Sequence, residues 1–567
     1  MTDPVPPADT SRETTGILTS SAVMAAGTVV SRMSGFVRST LLVAALGQQL
    51  HADLFNIANT IPNMLYILLA GGIFNAVLVP QLVRAMRNDP DGGEAYTNRV
   101  MTLAIVFLAL VTIVLVAAAP WVMQLYFTDA GQQAQLAEQR ESVIAFARFC
   151  LPQVFFYGMF VLVGQVLNAH GRFGPMMWAP IVNNLISVGV LVVYLFVFGP
   201  VADADLDAGF SSGQEALLGL GATFGIVAQF LVLLPFLRAA GVRYRPRFDF
   251  RGTGLGHTLR LGVWTVLFVI VNQIAYTVVV RLASTGTAGT AGTGEDATGY
   301  TVYAYAFLIV MVPHSVITVS LATAILPRLS GHAAEHDLPA LAGTLGMSMR
   351  TALAVVLPFA LLLPVISVDL SHVIWGWGAG EDGYTLFAPT LALFGIGLLF
   401  FTVHYLTLRG FYALERNRTV FWIQCVVAVV NILVAVLLVR ETNAVNTSPA
   451  LVGAYTAAYA VGSAVSYLVL RRLLGGLGTR RLLAFLGRLA VAAAASTAVA
   501  YAASLLLDAL GSDPNIAVAA LRALAVTIVD VVVFLVLARL LRLTEVTQVM
   551  DMVARRLPSA RASARRG

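Results

Sequence analysis

The sequence predicts an all-α polytopic membrane protein with fourteen transmembrane helices. Of its 567 residues, 58% are hydrophobic and 11% are charged, and the mean hydropathy is +0.82. A soluble protein carries about 25% charged residues, so the composition excludes a set of soluble domains. Apolar runs recur from residue 17 to residue 541. Because a spanning helix needs about 20 apolar residues, these runs are counted as membrane helices.

The runs fall into two groups of six helices and a final pair. The predicted helices are 17–46, 53–83, 100–127, 142–169, 174–198, 214–238, 257–283, 300–327, 346–368, 385–411, 418–439, 449–470, 483–507 and 515–541. The predicted domains are a cytoplasmic tail (1–16), a six-helix bundle (17–238), a basic cytoplasmic linker (239–256), a second six-helix bundle (257–470), an additional two-helix segment (483–541) and an Arg-rich cytoplasmic tail (542–567). The first tail is polar and lacks the basic and apolar regions of a signal peptide.

The charges of the loops predict the orientation. With a cytoplasmic N-terminus, the even-numbered loops and both tails hold most of the loop arginines, including those of "RYRPRFDFR" (243–251) and "RRLLGGLGTRR" (471–481). The odd-numbered loops hold only Arg140 and Arg440, together with most of the loop acids. Cytoplasmic loops are enriched in basic residues, so both termini are predicted to be cytoplasmic.

Two pairs of similar segments indicate an internal duplication. "AVLVPQLVR" (76–84) is similar to "TAILPRLSG" (323–331), with prolines 247 residues apart. "LNAHGR" (167–172) is similar to "FYALER" (411–416), 244 residues further on. Nearly equal offsets predict two six-helix halves of the same orientation, a plan found in transporters that bind substrate between two bundles.

Two charged residues, Arg32 and Arg38, lie inside the first predicted helix, in "SRMSGFVRST" (31–40). A charge at bilayer depth costs at least a few kcal/mol. Ser31, Ser34, Gly35 and Arg38 follow helical spacing and predict one polar stripe. Two interpretations remain open: Arg32 reaches the membrane surface and Arg38 pairs with an acid, or both line a water-filled cavity and bind an anionic group.

The second predicted helix begins with Asp53, followed by Asn56, Asn59 and Asn63 at nearly helical spacing. This pattern predicts a polar stripe facing Arg38. The alternative for Asp53 is a helix cap at the membrane edge.

Other polar groups within the predicted helices have structural explanations as well. Asn183 and Asn184 are expected to form hydrogen bonds between helices. Arg148 and Arg281 lie near predicted outer helix ends, where their guanidinium groups can reach water. Arg522, eight residues before Asp530, is expected to pair with that acid or to contact lipid.

No motif of an enzyme or of a metal site is present in the sequence. There is no phosphate-binding glycine loop, no nucleophile elbow and no metal-ligand spacing. Cys150 and Cys425 both lie in apolar runs, so neither a disulfide framework nor a thiolate metal site is expected.

Several motifs together resemble the MviN/MurJ family of the MOP exporter superfamily, with loops most similar to those of actinobacterial members. They are "SRMSGFVRSTLLVAALG", "ADLFNIANTIPNML", "GGIFNAVLVPQL", "LNAHGRFGPMMWAPIVNN" and "AILPRLS". The resemblance extends over the whole chain. It implies a flippase that carries lipid II, the undecaprenyl-pyrophosphate-linked peptidoglycan precursor, from the inner to the outer leaflet by alternating access. The lipid tail would occupy a groove at the last two helices.

The resemblance also implies the site. Arg32 and Arg38 match the family's first-helix arginines, and Asp53 matches its acid at the start of the second helix. Together with Asn56 and Asn63 they form the predicted pyrophosphate-binding set, because guanidinium groups bind phosphate oxygens bidentately. The auxiliary candidates are Tyr66, Arg148, Arg281 and Arg522. Tyr66 and Leu308 stand where family members carry further arginines.

For partners and energy source, the resemblance implies no cofactor and transport driven by the membrane potential, with a coupling ion, Na+ or H+, in some members. Expected partners are lipid II, membrane lipids, and proteins of cell-wall synthesis and division, without nucleic acid. The expected location is the bacterial cytoplasmic membrane. The alternatives are a polysaccharide-lipid flippase, a drug or cation antiporter, and a non-transporting scaffold whose basic tail docks on cell-wall enzymes or anionic lipid.

Overall fold

A computed structural model describes most of the chain from residue 27 to residue 547. The described residues are 27, 30–68, 82, 85–86, 89–126, 136–172, 174–202, 205, 207–249, 255–509 and 515–547, with the backbone only for 255–262. Within them the regular structure is entirely helical.

The helices are numbered in chain order. In the first half they are α1 (30–46), α2 (Leu50–Ile67), α3 (Glu94–Ala117), α4 (Ala119–Gln124), α5 (Ala137–Cys150), α6 (Gln153–Ala169), α7 (Gly174–Phe198), α8 (Ser212–Leu231) and α9 (Leu233–Ala239). In the second half they are α10 (Leu255–Gly289), α11 (Tyr300–Pro313), α12 (Ser320–Ala334), α13 (Leu338–Trp375), α14 (Phe387–Ala413), α15 (Asn417–Arg440), α16 (Thr447–Leu473), α17 (Thr479–Ala509) and α18 (Ile516–Leu540). A π-helical turn (His314–Val319) joins α11 to α12.

Twelve candidate membrane spans occur among the described residues. They correspond in order to the third to fourteenth predicted helices. The first two predicted helices, 17–46 and 53–83, lie partly outside the described residues, so the count of fourteen is not confirmed.

Two predicted helices differ from the structure in instructive ways. The predicted helix 142–169 is broken at Pro152, between α5 and α6, because proline has no backbone N–H to donate. The predicted helix 346–368 is α13, with 38 residues. At 1.5 Å per residue, α13 is about 57 Å long, well beyond a hydrocarbon core of about 30 Å. The length of an apolar run alone therefore underestimates the length of a helix that extends beyond the membrane.

Contacts divide the chain into two compact units. The first contains the described residues up to Gln273 except 48–50, and the second contains 48–50 and the residues from Ile274 onward. In the first unit, α6 packs against α3 and α8, and α7 packs along α8. Its core includes Leu108 of α3 and Phe160 and Leu162 of α6, all buried.

In the second unit, α14 is central and packs against α13 and α16. The final pair, α17 and α18, packs on α13. Leu353 of α13, Phe485 and Leu489 of α17, and Phe534 of α18 form the shared apolar core of this contact. The last two helices are thus an integral part of the second unit.

Ion pairs reinforce the contact between α13 and the last helices. Arg350 of α13 donates from Nε to Glu545, which follows α18, at 2.6 Å. Arg522 of α18 pairs with Asp369 of α13 at 3.5 Å and with Asp508 of α17. The expected pairing of Arg522 with Asp530 is therefore wrong. Asp530 instead accepts a hydrogen bond from Thr497 of α17.

The predicted basic linker is partly docked on α3. The backbone N–H groups of Arg245 and Arg247 donate to Asn98 Oδ1 and Thr102 Oγ1, each at 3.0 Å. Arg99, between these two α3 residues, pairs with Asp249. The Arg99 hydrogen bond lowers the pKa of Asp249. Residues 245–249 are therefore held against the first unit by specific contacts.

The two similar hexapeptides end their helices in the same way. In "LNAHGR", the N–H of Arg172 donates to Leu167 O at 2.9 Å, and Gly171 has φ +74°. In "FYALER", the N–H of Arg416 donates to Phe411 O at 2.9 Å, and Glu415 has φ +56°. This helix ending favours glycine at the left-handed position. The same ending also occurs at Gly241, His336 and Arg542, so it is a common feature of this chain and not specific to the two similar segments.

The left-handed position gives a reciprocal pair of substitutions. We expect Glu415→Gly to stabilise the protein by about 1 kcal/mol, because only glycine adopts this conformation without strain. Gly171→Ala should destabilise it by a similar amount, since an added Cβ would contact nothing within 4 Å and only the backbone cost remains. Thermal unfolding of the purified protein in detergent measures both. If both substitutions shifted the unfolding temperature equally and in the same direction, the left-handed conformation assigned to positions 171 and 415 would be contradicted.

The ion pair of Glu545 predicts a pH dependence. Burial acts to raise the pKa of Glu545, but the hydrogen bonds from Arg350, its own backbone and Thr544 outweigh burial and lower the pKa. The pair therefore stabilises the fold above the ordinary glutamate pKa of about 4.3, and this contribution is lost as the pH falls through the lower pKa of the folded protein.

This dependence can be isolated by subtraction. The difference in unfolding temperature between wild type and Glu545→Gln should be largest at neutral pH and shrink at acid pH. Glu335→Gln is the control, because Glu335 is exposed and forms no ion pair among the described residues. If the difference in unfolding temperature between wild type and Glu545→Gln did not change with pH, the ion pair of Arg350 and Glu545 would be excluded as its cause.

Candidate functional site

The polar stripe of α1 faces α7. Asn184 of α7 donates from Nδ2 to Ser31 O at 3.0 Å and to Ser34 Oγ at 2.9 Å. The expectation that the asparagines of "APIVNN" bond between helices is confirmed for Asn184. Asn183 lies against α8, where its Oδ1 leaves no room for a Cβ on Gly225. The two asparagines thus connect α7 with two different helices.

Arg38 lies one turn further along the same side of α1. Its side chain borders a small cavity of about 10 Å³ with Ser187 of α7, Phe55 of α2 and Leu218 of α8. A cavity of this size holds about one water molecule. Arg38 is therefore directed into the first unit, among apolar side chains and one hydroxyl group.

Neither first-helix arginine is neutralised within the described part of the chain. Arg32 and Arg38 are both half-buried. No carboxylate of the described residues lies within 4 Å of either guanidinium group, whereas Arg350 has one such partner and Arg522 has two. The interpretation that Arg38 is held by a neighbouring acid is therefore not supported by the residues that the structure describes.

Asp53 is not the cap of α2. The helix begins at Leu50, which places Asp53 in its first turn, and the residue is fully buried. A carboxylate in this position is stabilised by the positive end of the helix dipole. Asp53 also has polar interactions, so its burial is compensated.

The asparagines of the α2 stripe differ in exposure. Asn56 and Asn59 are half-buried, and Asn63 is exposed. The α2 residue that borders the Arg38 cavity is Phe55, and the orientation of the stripe toward Arg38 stays a prediction. Asn59 Oδ1 is buried without a hydrogen-bond partner among the described residues.

Tyr66 contributes to an aromatic cluster. Its ring centroid lies 4.9 Å from that of Tyr157 and 6.5 Å from that of Phe160, both on α6. At this position an aromatic contact between α2 and α6 replaces the arginine that the family resemblance implies. The ring is used for packing inside the first unit.

The three auxiliary arginines differ in environment. Arg148, at the end of α5, is exposed, as expected of a side chain that reaches the membrane surface. Arg281, in α10, is half-buried and has polar interactions. Arg522 is neutralised by Asp369 and Asp508, which favours a structural role over substrate binding.

Arg409 is a partly buried cation that is not among the site residues predicted from the sequence. Arg409 of α14 is half-buried, with its guanidinium carbon 4.3 Å from the ring centroid of Tyr405 and 5.6 Å from that of Tyr412. Its Nε is buried and has no hydrogen-bond partner among the described residues. The spacing of Tyr405, Arg409 and Tyr412 at i, i+4 and i+7 is the sequence signal for this stacking.

Comparison with solved structures defines the class of protein. The chain is similar to a lipid II flippase MurJ in an inward closed conformation, with a TM-score of 0.69, 16% identity, and coverage of 92% of this chain and 98% of the other. It is also similar to an inward-facing multidrug resistance MATE family transporter of the MOP superfamily, with a TM-score of 0.61, 15% identity, and coverage of 79% and 96%. The chain therefore has the multi-pass helical membrane fold of these two proteins.

Sequence comparison identifies the family. The family model described as lipid II flippase MurJ matches residues 42–541. A probable lipid II flippase MurJ of Rhizobium tropici is 28% identical over 417 residues, which cover 72% of this chain and 73% of that protein. The chain therefore belongs to the lipid II flippase MurJ family, and the resemblance seen in its motifs is confirmed.

The contact between α1 and α7 can be tested by a double-mutant cycle. We expect Asn184→Ala and Ser34→Ala to couple by about 0.6 kcal/mol, because interhelical hydrogen bonds in membranes have energies of this size. Unfolding of the purified protein in mixed detergent micelles gives the four free energies. Ser39→Ala, which removes a bond within α1 to Phe36 O, is the control and should not couple to Asn184→Ala. Coupling of equal size in the control would refute the contact.

Proposed function

We propose that this protein moves lipid II from the inner to the outer leaflet of the bacterial cytoplasmic membrane by alternating access. Membership of the MurJ family supports the cargo. The observation that connects the proposal to particular residues is the presence of Arg32 and Arg38 on α1 without a neutralising carboxylate among the described residues. A pyrophosphate carries the negative charge that would neutralise these guanidinium groups and the oxygens that would accept their hydrogen bonds.

The proposal requires a change of conformation around Arg38. The cavity that Arg38 borders has a volume of about 10 Å³, too small for a phosphate group. Binding therefore needs either a wider cavity or a rotation of the Arg38 side chain out of it. In alternating access, the substrate pathway is open in some conformations and closed in others, and the small cavity belongs to a closed arrangement of the first unit.

The remaining substrate contacts are proposed with different support. Asp53 and Asn56 lie in α2 within the segment that the family model matches, as does the exposed Asn63. Arg32 and Arg38 precede the matched segment, which begins at residue 42, and are assigned from the motif "SRMSGFVR". Asp53 repels a pyrophosphate anion, so its proposed contribution to the binding set is to orient the neighbouring polar groups.

We further propose cytoplasmic termini and two six-helix halves followed by an additional pair. The arginine content of the predicted even-numbered loops supports the orientation. The two pairs of similar segments, 247 and 244 residues apart, support the duplication. The membrane potential, alone or with Na+ or H+, is the proposed energy source, and the cell-wall and division proteins stay predicted partners.

Replacing Arg38 tests the proposal directly. In cells of the protein's own host depleted of the wild type, we expect Arg38→Ala to lower the flipping of labelled lipid II by about 10- to 100-fold, since a charge-assisted contact contributes about 1.5–3 kcal/mol. Arg38→Lys should recover part of the activity, because it keeps the charge and loses the bidentate geometry. Leaflet-specific labelling of lipid II measures the transport.

Two controls make the result interpretable. Arg416→Ala removes an exposed charge after α14 and should leave transport unchanged. Immunoblots of membrane fractions must show equal amounts of each variant. Full transport by Arg38→Ala would exclude the residue from the site. An unchanged lipid II distribution on depletion of the wild type, with no second flippase present, would instead favour another lipid-linked cargo and make Tyr66 and Leu308 the residues to explain.

A further inference from the structure

The loop between α16 and α17 borders an open cavity. Residues 474–478 connect Leu473, where α16 ends, to Thr479, where α17 begins. The cavity has a volume of about 630 Å³ and is open to its surroundings. Its lining includes Arg471 from the end of α16 and Arg480 and Arg481 from the start of α17; these three residues with residues 476–479 are called the arginine cavity below.

The arginine cavity is strongly positive. Arg471, Arg480 and Arg481 are all exposed, and none forms an ion pair or a hydrogen bond with a described residue. No acid contributes to the lining. Three guanidinium groups around one open volume, without a counter-ion from the described residues, favour binding of an anion, and their planar donors suit the oxygens of a phosphate.

The backbone of the loop adds donors on the same side. Gly476 and Gly478 have φ of +152° and +61°, conformations that other residues rarely adopt. The first backbone bond of α17 runs from Leu482 N to Gly478 O at 3.0 Å. The N–H groups of Thr479, Arg480 and Arg481 thus have no acceptor among the described residues, and Gly478 has no side chain to cap them. Such amides favour phosphate, and they supplement the arginines here.

The surroundings indicate that the anion is carried by a lipid. α16 and α17 are both long and apolar enough to span a membrane, so the cavity lies where two spans end. Leu473 and Leu483, on either side of the loop, are 38% and 61% exposed. A ligand with a phosphate group and apolar chains can contact the arginines and these leucines at the same time, which a soluble phosphate cannot do.

We propose that the arginine cavity binds the phosphodiester headgroup of an anionic membrane phospholipid, at a site separate from the transport site. The phosphate oxygens accept hydrogen bonds from Arg471, Arg480 and Arg481 and from the first amides of α17. The acyl chains lie along the exposed leucines. The headgroup anchors the start of α17 at the membrane surface. This inference does not depend on the identity of the transported cargo.

The test is hydrogen exchange of the full chain in nanodiscs. We expect the backbone amides of residues 474–484 to exchange about tenfold more slowly in phosphatidylglycerol with phosphatidylcholine than in phosphatidylcholine alone, because bound lipid at about ten times its dissociation constant protects by this factor. The comparison uses the wild-type protein, so it does not depend on the folding of a variant. Equal exchange in both lipids would overturn the proposal.

Two further arms locate the effect and identify its source. The triple variant R471Q/R480Q/R481Q should lose the protection, whereas R243Q/R245Q/R247Q, which removes three exposed arginines from the docked linker, should keep it. If both triple variants lost the protection of residues 474–484, the protection would reflect the total positive charge of the protein, and a specific site would be refuted. Inorganic phosphate added to phosphatidylcholine nanodiscs should give no protection. Protection equal to that of phosphatidylglycerol would refute a lipid ligand.

Discussion

Charge neutralisation inside an apolar bundle is the constraint on which this structure depends. A guanidinium group within the membrane must be paired, hydrated or bound to a ligand. Arg350 and Arg522 are paired with carboxylates and thereby fasten the last helices to α13. Arg32 and Arg38 have no such partner among the described residues. The same residue type therefore has a structural role in the second unit and is available for an anionic substrate in the first.

The hydrogen bonds of Asn184 connect this constraint to the geometry of the site. By binding Ser31 and Ser34, Asn184 fixes which side of α1 faces α7. Arg38, four residues after Ser34, is consequently directed toward α7 and α8. A neutral amide thus determines the direction of a charged residue. The backbone of Arg38 can leave this position only if the contact breaks or if α1 and α7 move together, whereas its side chain can also rotate.

The class of fold, twelve spans and the family were predictable from the sequence, because apolar length and short motifs are local properties. The orientation of single side chains was not. The position of Phe55 at the Arg38 cavity was not predicted, because neighbouring residues of a helix point about 100° apart and contacts between helices decide which of them faces Arg38. Arg522 was expected to pair with Asp530, eight residues away, yet its partners come from α13 and α17. Partners that are distant in sequence leave no periodic signal.

The ion pair between Arg350 and Glu545 has a consequence for biosynthesis. The two residues are separated by 195 positions. At roughly 5–20 residues per second, a ribosome needs about 10–40 s to make the intervening chain. Throughout that interval the Arg350 charge has already entered the growing protein while its carboxylate does not yet exist. Water or lipid phosphate must solvate it until the last helices arrive, so the second unit is completed only when translation is nearly finished.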